Sequence, residues 1–317
     1  MRMMNRPTPR AAIVHLAAAA LLALPTAPTA GPLRSLGISV LDLGNPFFVA
    51  IAENAEIRAR ELAGDVDVTV VSSAYNLPRQ EAQIERFVRE ARDLIVLSAS
   101  EPKGIAEAVH RAQAAGTRVV AVDVEAEGAD ATVTTDNAQA GRIACEHMAE
   151  ALDGHGEVVI INGPPVSAVN ARVAGCREVL AGYPRVDLLS AAENGGGSRR
   201  GGLEKMTALL TRHPDLDAVF AINDPTALGA ELAAQRSGHD DVFIVSVDGS
   251  PAVVERLKSG DSLIRATAAQ FPGRIARRAV ELGYDILRGR EPSPTRVYIP
   301  SRLITADNVA GYEGWGR

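Results

Sequence analysis

The chain has little of several residue types that often mark a function. Aromatic residues make up 4% of its 317 residues, with a single tryptophan, and there are two cysteines. It contains no HExxH, Walker or GxSxG motif, and its six histidines are scattered. Nothing in it therefore indicates a zinc protease, a nucleotide hydrolase or a serine hydrolase, and we expect neither a metal nor a cofactor.

Long apolar runs and basic patches are also missing. Beyond the N-terminal region no apolar run is long enough to form a membrane helix. The formal net charge is −6, and lysines and arginines form no patch. Nucleic acid and anionic membranes are therefore poor candidate partners.

The N-terminal region has the pattern of a secretory signal peptide. Arg2, Arg6 and Arg10 precede an apolar stretch at 11–24 that is too short to span a bilayer, and small residues and prolines follow. We assign residues 1–30 to this signal and predict an exported, periplasmic protein. No cysteine lies at the junction, so no lipid anchor is expected there, and removal of the three arginines changes the net charge from −6 to −9.

Short β-branched runs alternate with alanine-rich amphipathic stretches along the rest of the chain. Strands are predicted near 36–43, 66–72, 93–98, 118–122, 131–134, 157–161, 186–191, 218–221, 242–247 and 264–269. Apolar strands linked by helices indicate parallel sheets with helices on both faces. Ten such strands favour an α/β protein with two sheets rather than one.

Several predicted helices begin with a capping residue followed by proline. Ser250 precedes Pro251 in this way, while Gly44 and Asn45 are expected to turn the chain before Pro46, which suits the first helical position. In the segment Asn223-Asp224-Pro225 we expect Asp224 to be the cap and Pro225 to take the first helical position.

The two cysteines, Cys145 and Cys176, both fall in predicted helices. An oxidising compartment permits a disulfide, and an even count is compatible with one. Buried free thiols are the commoner case, so the sequence favours them while leaving the pairing open.

Candidate ligand-binding residues follow the strands. Phe47 and Phe48 lie on the first turn of a helix that follows a strand, where ligands bind in open parallel sheets, although either ring could belong to the core. Polar residues recur at the other strand ends, and one arginine lies early in a later helix: Asn45, Asp123, Asn223, Asp248, Gln270 and Arg172. Any one of these could be a cap or turn former. As a set, carboxylates, amides and a guanidinium suit a ligand that carries many hydroxyls.

These segments resemble the periplasmic ribose-binding-protein family, the type I sugar-binding proteins of bacterial ABC importers. The similarity covers nearly all of the chain after the signal. The matching segments are Gly44–Phe48, Ala121–Asp123, Thr135–Asn137, Ala221–Asp224, Val247–Gly249, Ala269–Gln270 and the tail Leu303–Val309. Their order and spacing carry the resemblance.

The resemblance implies two similar doubly wound lobes joined by three crossing strands. The lobes would be 31–136 with 271–293, and 137–270 with 294–317. Asn45, Phe47, Phe48 and Asp123 would contact the sugar from the first lobe, with Phe48 stacked on its C–H face. Arg172, Asn223 and Asp248 would bind it from the second lobe, and Gln270 would lie at a crossing.

It also implies the partners. They would be a small neutral sugar or polyol and an ABC permease in the inner membrane, and we expect the protein to act as a monomer.

Three departures from the family pattern weaken the case for a ribose pocket. Val124 stands where the family often has arginine, and Leu41 where it often has a polar residue. The second stacking aromatic of ribose receptors falls near Gly197, in a glycine run. We therefore expect one aromatic wall with an open opposite side, and another pentose, a hexose or a linear polyol as ligand.

Other functions remain open. Asp123 and Asp248 could form the acid–base pair of a glycosidase, although nothing else supports hydrolysis. Lac-repressor-like transcription factors share the fold, but here a signal peptide replaces their DNA-binding domain. A sugar receptor for chemotaxis or signalling is the main alternative to transport. The loop at 194–202, with Arg199 and Arg200, could hold a phosphate or carboxylate at a helix start, but it does not match a phosphate-loop spacing and a solvated loop is favoured.

Overall fold

The computed structural model describes residues 33–315. The predicted signal peptide lies outside these residues. Within the described part, no helix is long and apolar enough to cross a membrane.

In residues 33–315, twelve strands form two six-stranded sheets. The strands are β1 Ser35–Val40, β2 Asp67–Ser72, β3 Leu94–Leu97, β4 Arg118–Val122, β5 Ala131–Thr135, β6 His155–Asn162, β7 Arg185–Asn194, β8 Ala218–Ala221, β9 Phe243–Asp248, β10 Ile264–Ala269, β11 Arg296–Ile299 and β12 Arg302–Thr305. The helices are α1 Pro46–Ala63, α2 Leu77–Arg89, α3 Ala106–Ala114, α4 Asn137–Ala151, α5 Ser167–Leu180, α6 Arg199–Arg212, α7 Asp224–Arg236, α8 Pro251–Ser259 and α9 Pro272–Leu287. The predicted α/β fold with two parallel sheets is confirmed.

The first sheet has the order β11-β5-β4-β3-β1-β2 and is parallel throughout. The second has the order β12-β10-β9-β8-β6-β7 and is parallel except for β12, which runs antiparallel to β10. Central strands such as β3 and β8 are buried along their whole length, because helices cover both faces of each sheet.

The chain crosses between the two lobes three times. It enters the second lobe after β5, returns after β10 into α9, which packs on α1 and β4, and crosses again between β11 and β12. The expected return to the second lobe at residue 294 is wrong, because β11 pairs with β5 in the first sheet and the last crossing falls after Ile299. The two final strands were not predicted from the sequence, because each has four residues and is half exposed.

A disulfide joins Cys145 on α4 to Cys176 on α5, contrary to the expectation of free thiols. Gly141 and Gly175 lie where these helices touch, and a Cβ atom on either glycine would collide with the backbone of the facing helix. The two glycines therefore allow the close approach that brings the cysteine Cα atoms to 5.1 Å.

The helix starts agree with the predicted caps except at α7. Asn45 and Ser250 cap α1 and α8 through their side chains. At α7 the cap is Asn223, whose Oδ1 accepts from the Thr226 backbone N–H at 3.0 Å. Asp224 was expected to be this cap, but its side chain points into the protein instead, since buried hydroxyls bind it.

Candidate functional site

A cavity lies between the two lobes, where the carboxyl ends of the strands of both sheets meet. Its cavity volume is about 50 Å³, so it is a narrow space. Its lining comprises Leu41, Asn45, Phe47, Phe48, Tyr75, Asp123, Pro164, Val166, Ala168, Val169, Arg172, Gly197, Ile222, Asn223, Asp248 and Gln270. All eight residues predicted from the sequence are brought together in this one cavity.

Two phenylalanines form an aromatic wall on the first lobe. Asn45 caps α1 by accepting from the Phe47 backbone N–H at 3.0 Å, and the proline that follows suits the first helical turn. The rings of Phe47 and Phe48 meet edge to face with centroids 5.4 Å apart. Both side chains are buried, so this wall is built into the core and still borders the cavity.

Tyr75 also lines the cavity, although it was not predicted from the sequence. It follows β2, and both Ala74 and Tyr75 adopt left-handed backbone conformations, with φ of 51° and 56°. Such conformations are costly for residues other than glycine and concentrate at functional sites. The signal that could have revealed it is the rule already applied to the other strands, namely that a large side chain just after a parallel strand faces the ligand crevice.

Among the described residues, the second lobe contributes no aromatic ring to the lining. Gly197, with φ of 63°, occupies the expected position, and its carbonyl accepts from Asn223 Nδ2 at 2.9 Å. Pro164 and Val166 also line this side, so aliphatic side chains as well as backbone face the cavity there.

Asp123 presents an unpaired carboxylate to the cavity. It is 6% exposed, and within residues 33–315 no group donates a hydrogen bond to its side chain. Its backbone is left-handed, with φ of 61°, and its carbonyl accepts from Thr134 Oγ1 at 2.6 Å. Burial raises the pKa of Asp123 to about 6, and the positive charge of Arg172 only partly opposes this.

Arg172 is held from two sides. Its Nε donates to Oδ1 of Asn137 at 2.7 Å, and one terminal nitrogen donates to the carbonyl of Ile222 at 2.8 Å. The same nitrogen lies 3.6 Å from Asp248 Oδ1. These two hydrogen bonds use two of the five N–H donors of a guanidinium, so donors remain for a ligand.

Asp248 and Gln270 extend the polar contacts of Arg172 from the second lobe to the first. Gln270 Nε2 donates to Asp248 Oδ1 at 2.7 Å, and Gln270 Oε1 accepts from Thr135 Oγ1 at 2.6 Å. Thr135 belongs to the first sheet and Asp248 to the second, so the chain of hydrogen bonds joins the lobes next to the cavity.

A second buried carboxylate, Asp224, lies behind Asp248. It accepts from Ser246 Oγ at 2.5 Å, from Thr267 Oγ1 at 2.8 Å and from the Ser250 backbone N–H at 2.7 Å. Burial, together with the charge of Asp224, raises the pKa of Asp248. Asp248 also has an unusual φ of 142°, so two adjacent acids and a strained backbone are concentrated at this wall.

The arrangement suits recognition by hydrogen bonds. The carboxylates accept from hydroxyls, the guanidinium donates, the amides do both, and the phenyl rings accommodate C–H surface. Within residues 33–315 no group of three or more His, Cys, Asp or Glu side chains is placed to hold a metal ion.

Two α/β lobes, three crossings and a polar cavity between them define a two-lobe binding protein. The chain belongs to the periplasmic binding protein domain family, whose model matches residues 36–291. The resemblance drawn from the motifs is thereby confirmed.

Individual relatives agree with this assignment. The chain is 31% identical to the ribose import binding protein RbsB of Bacillus subtilis, over 86% of this chain and 87% of that protein. It is 29% identical to the D-apiose import binding protein of Paraburkholderia graminis, over 93% and 95%. It superposes with a TM-score of 0.83 and 26% identity on an ABC transporter solute-binding protein from Mycobacterium smegmatis with bound glycerol, covering 90% of this chain and 98% of that one.

Proposed function

We propose that this protein is the periplasmic substrate-binding component of an ABC importer. It captures a neutral monosaccharide or polyol between its lobes and delivers it to a membrane permease. The observation that carries this proposal is the composition of the cavity, where two phenyl rings, two carboxylates, a guanidinium and three amides converge. Relatives named for ribose and D-apiose, and a solved structure with glycerol, support a small polyhydroxylated ligand.

The charges of the lining favour a neutral ligand over an anion. Asp123 and Asp248 face the cavity with Arg172 as the one guanidinium of the lining, and Asp224 lies directly behind. A carboxylate or phosphate group on the ligand would need cationic partners in this poorly hydrated site, and among the described residues the lining offers Arg172 alone, beside two carboxyl groups. Hydroxyls would instead donate to Asp123, which lacks a donor within the described residues.

The same lining argues against hydrolysis. Asp248 is committed to Gln270 and to the backbone N–H of Asp224, and it lies beside Arg172, so it is not free to activate water. The relatives are named as import binding proteins, which supports capture and release without chemistry.

A thermal-shift panel tests the proposal. D-ribose, D-apiose, D-arabinose, D-allose, xylitol, myo-inositol and glycerol form the neutral arm, and ribose 5-phosphate and gluconate the anionic arm. A neutral ligand at one hundred times its Kd adds about 2.7 kcal/mol to the stability of the folded protein and raises Tm by several degrees. Shifts confined to the anionic arm would refute the proposal. Uptake of the radiolabelled hit by cells with and without the gene then separates transport from a signalling receptor.

A further inference from the structure

The chain segment after β12 packs beside residues that line the ligand cavity. A short 3-10 turn at Val309–Gly311 packs against α8, and the buried Tyr312 donates from its hydroxyl to the carbonyl of Gly249 at 3.0 Å. These contacts fix the segment to the second lobe.

Trp315 extends from this segment to both lobes. Its indole Nε1 donates to the backbone carbonyl of Asp248 at 2.7 Å, and the same carbonyl accepts from the Gln270 backbone N–H at 2.9 Å. Its ring meets Phe47 edge to face, with centroids 5.8 Å apart. Because Phe47 belongs to α1 of the first lobe, Trp315 spans the junction behind the aromatic wall.

We propose that Trp315 is a positioning residue that straps the two lobes together around the bound ligand. The inference rests on the proposed function in one respect, namely that the lobes close on a ligand. Because this contact joins α1 of the first lobe to a segment held by the second lobe, we expect it to be lost when the lobes move apart. An interaction present only in the closed form increases the closed population, and it thereby strengthens binding and slows release.

Trp315 is the only tryptophan of the chain, so its fluorescence reports on the strap directly. In wild-type protein, saturating D-ribose, D-apiose or glycerol should reduce quenching of this emission by acrylamide. The variant Trp315→Ala should bind the same probes roughly three- to tenfold more weakly, with most of the change in the dissociation rate.

Two further variants separate a strap from a residue that only maintains the fold. Trp315→Phe keeps a ring for Phe47 but loses the N–H donor, so it should recover part of the affinity lost in Trp315→Ala. Tyr312→Phe removes a hydrogen bond of the same segment that lies within the second lobe, so its affinity should stay within about twofold of wild type.

The outcomes are distinct. Weaker binding by Trp315→Ala that is partly restored in Trp315→Phe supports the strap, and unchanged affinity of Trp315→Ala for every probe that binds overturns it. If none of the three probes binds wild type, the proposed ligand class is contradicted for these probes. Small-angle scattering of the ligand-free proteins then tests whether Trp315 holds the lobes together. A larger radius of gyration for ligand-free Trp315→Ala than for wild type then supports it, and identical scattering overturns it.

Discussion

Replacing Asp123 by Asn should stabilise the ligand-free protein at neutral pH and weaken its affinity for a sugar. The carboxylate is nearly fully buried and receives no hydrogen bond within residues 33–315. Its charged form therefore loses hydration without a compensating donor. Asparagine has nearly the same shape and carries no charge.

The size of the effect follows from the pKa. Burial raises the pKa of Asp123 from 3.8 to about 6, so the folded protein keeps this proton to a higher pH than the unfolded chain. The group consequently costs no stability below pH 3.8, becomes destabilising as the pH rises, and has its full effect above pH 6. A rise of this size corresponds to roughly 3 kcal/mol at pH 7.5, which the asparagine variant should regain as an upper limit.

Denaturant unfolding of both proteins between pH 4 and pH 7.5 measures this difference. The gain of Asp123→Asn should be near zero at pH 4 and largest at pH 7.5. The matched control is Asp187→Asn, because Asp187 is exposed on β7 and should show no gain at either pH. A variant that is less stable than wild type at pH 7.5 would refute the reasoning, since it would mean that the carboxylate makes a favourable interaction in the ligand-free protein.

The same variant tests the role of Asp123 in binding. Ligand hydroxyls stabilise the ionised carboxylate, so wild-type affinity should increase between pH 5 and pH 7 as the proton is released. Loss of a charged hydrogen-bond acceptor should weaken binding by roughly ten- to a hundredfold and flatten this pH dependence. Calorimetry at the two pH values checks it, and a pH-independent wild-type affinity would contradict it.

Three further changes have defined outcomes. Arg172→Ala should weaken binding at least about tenfold and lower the free energy of unfolding by about 2–4 kcal/mol, because two buried oxygens lose the guanidinium that donates to them. Calorimetry measures the affinity and denaturant unfolding the stability. Unchanged affinity would mean that Arg172 has a purely structural role. Phe48→Ala should cost more affinity than Phe47→Ala if Phe48 is the platform for the C–H face of the sugar, and an equal or larger loss at Phe47 would contradict that assignment. Replacing Cys145 and Cys176 together by alanine should lower stability by roughly 3–4 kcal/mol, the value expected for a bond that closes a loop of 31 residues, and reductant should lower the Tm of wild type but not of the variant.

The positions of ten strands followed from the sequence because buried parallel strands are local, β-branched apolar runs. The candidate site followed from a rule of the same kind, since residues just after parallel strands gather at one edge of the sheet. That rule explains why residues as distant in sequence as Asn45 and Gln270 line one cavity. The family resemblance added the arrangement of two such edges facing each other.

Tertiary structure alone decided several other features. The disulfide depends on the close approach of α4 and α5, and β11 depends on pairing with β5, a strand more than 150 residues earlier. Asp224 points inward because the buried hydroxyls of Ser246 and Thr267 donate hydrogen bonds to it.

Trp315 shows the same division between local and long-range information. Its position near the end of the sequence gives no sign of contact with Asp248 or Phe47. Local patterns determine strands, helices and the residues at their ends, because those depend on neighbouring residues in the chain. Contacts between distant segments depend on how the two lobes and the final segment pack in three dimensions, and no short pattern records that packing.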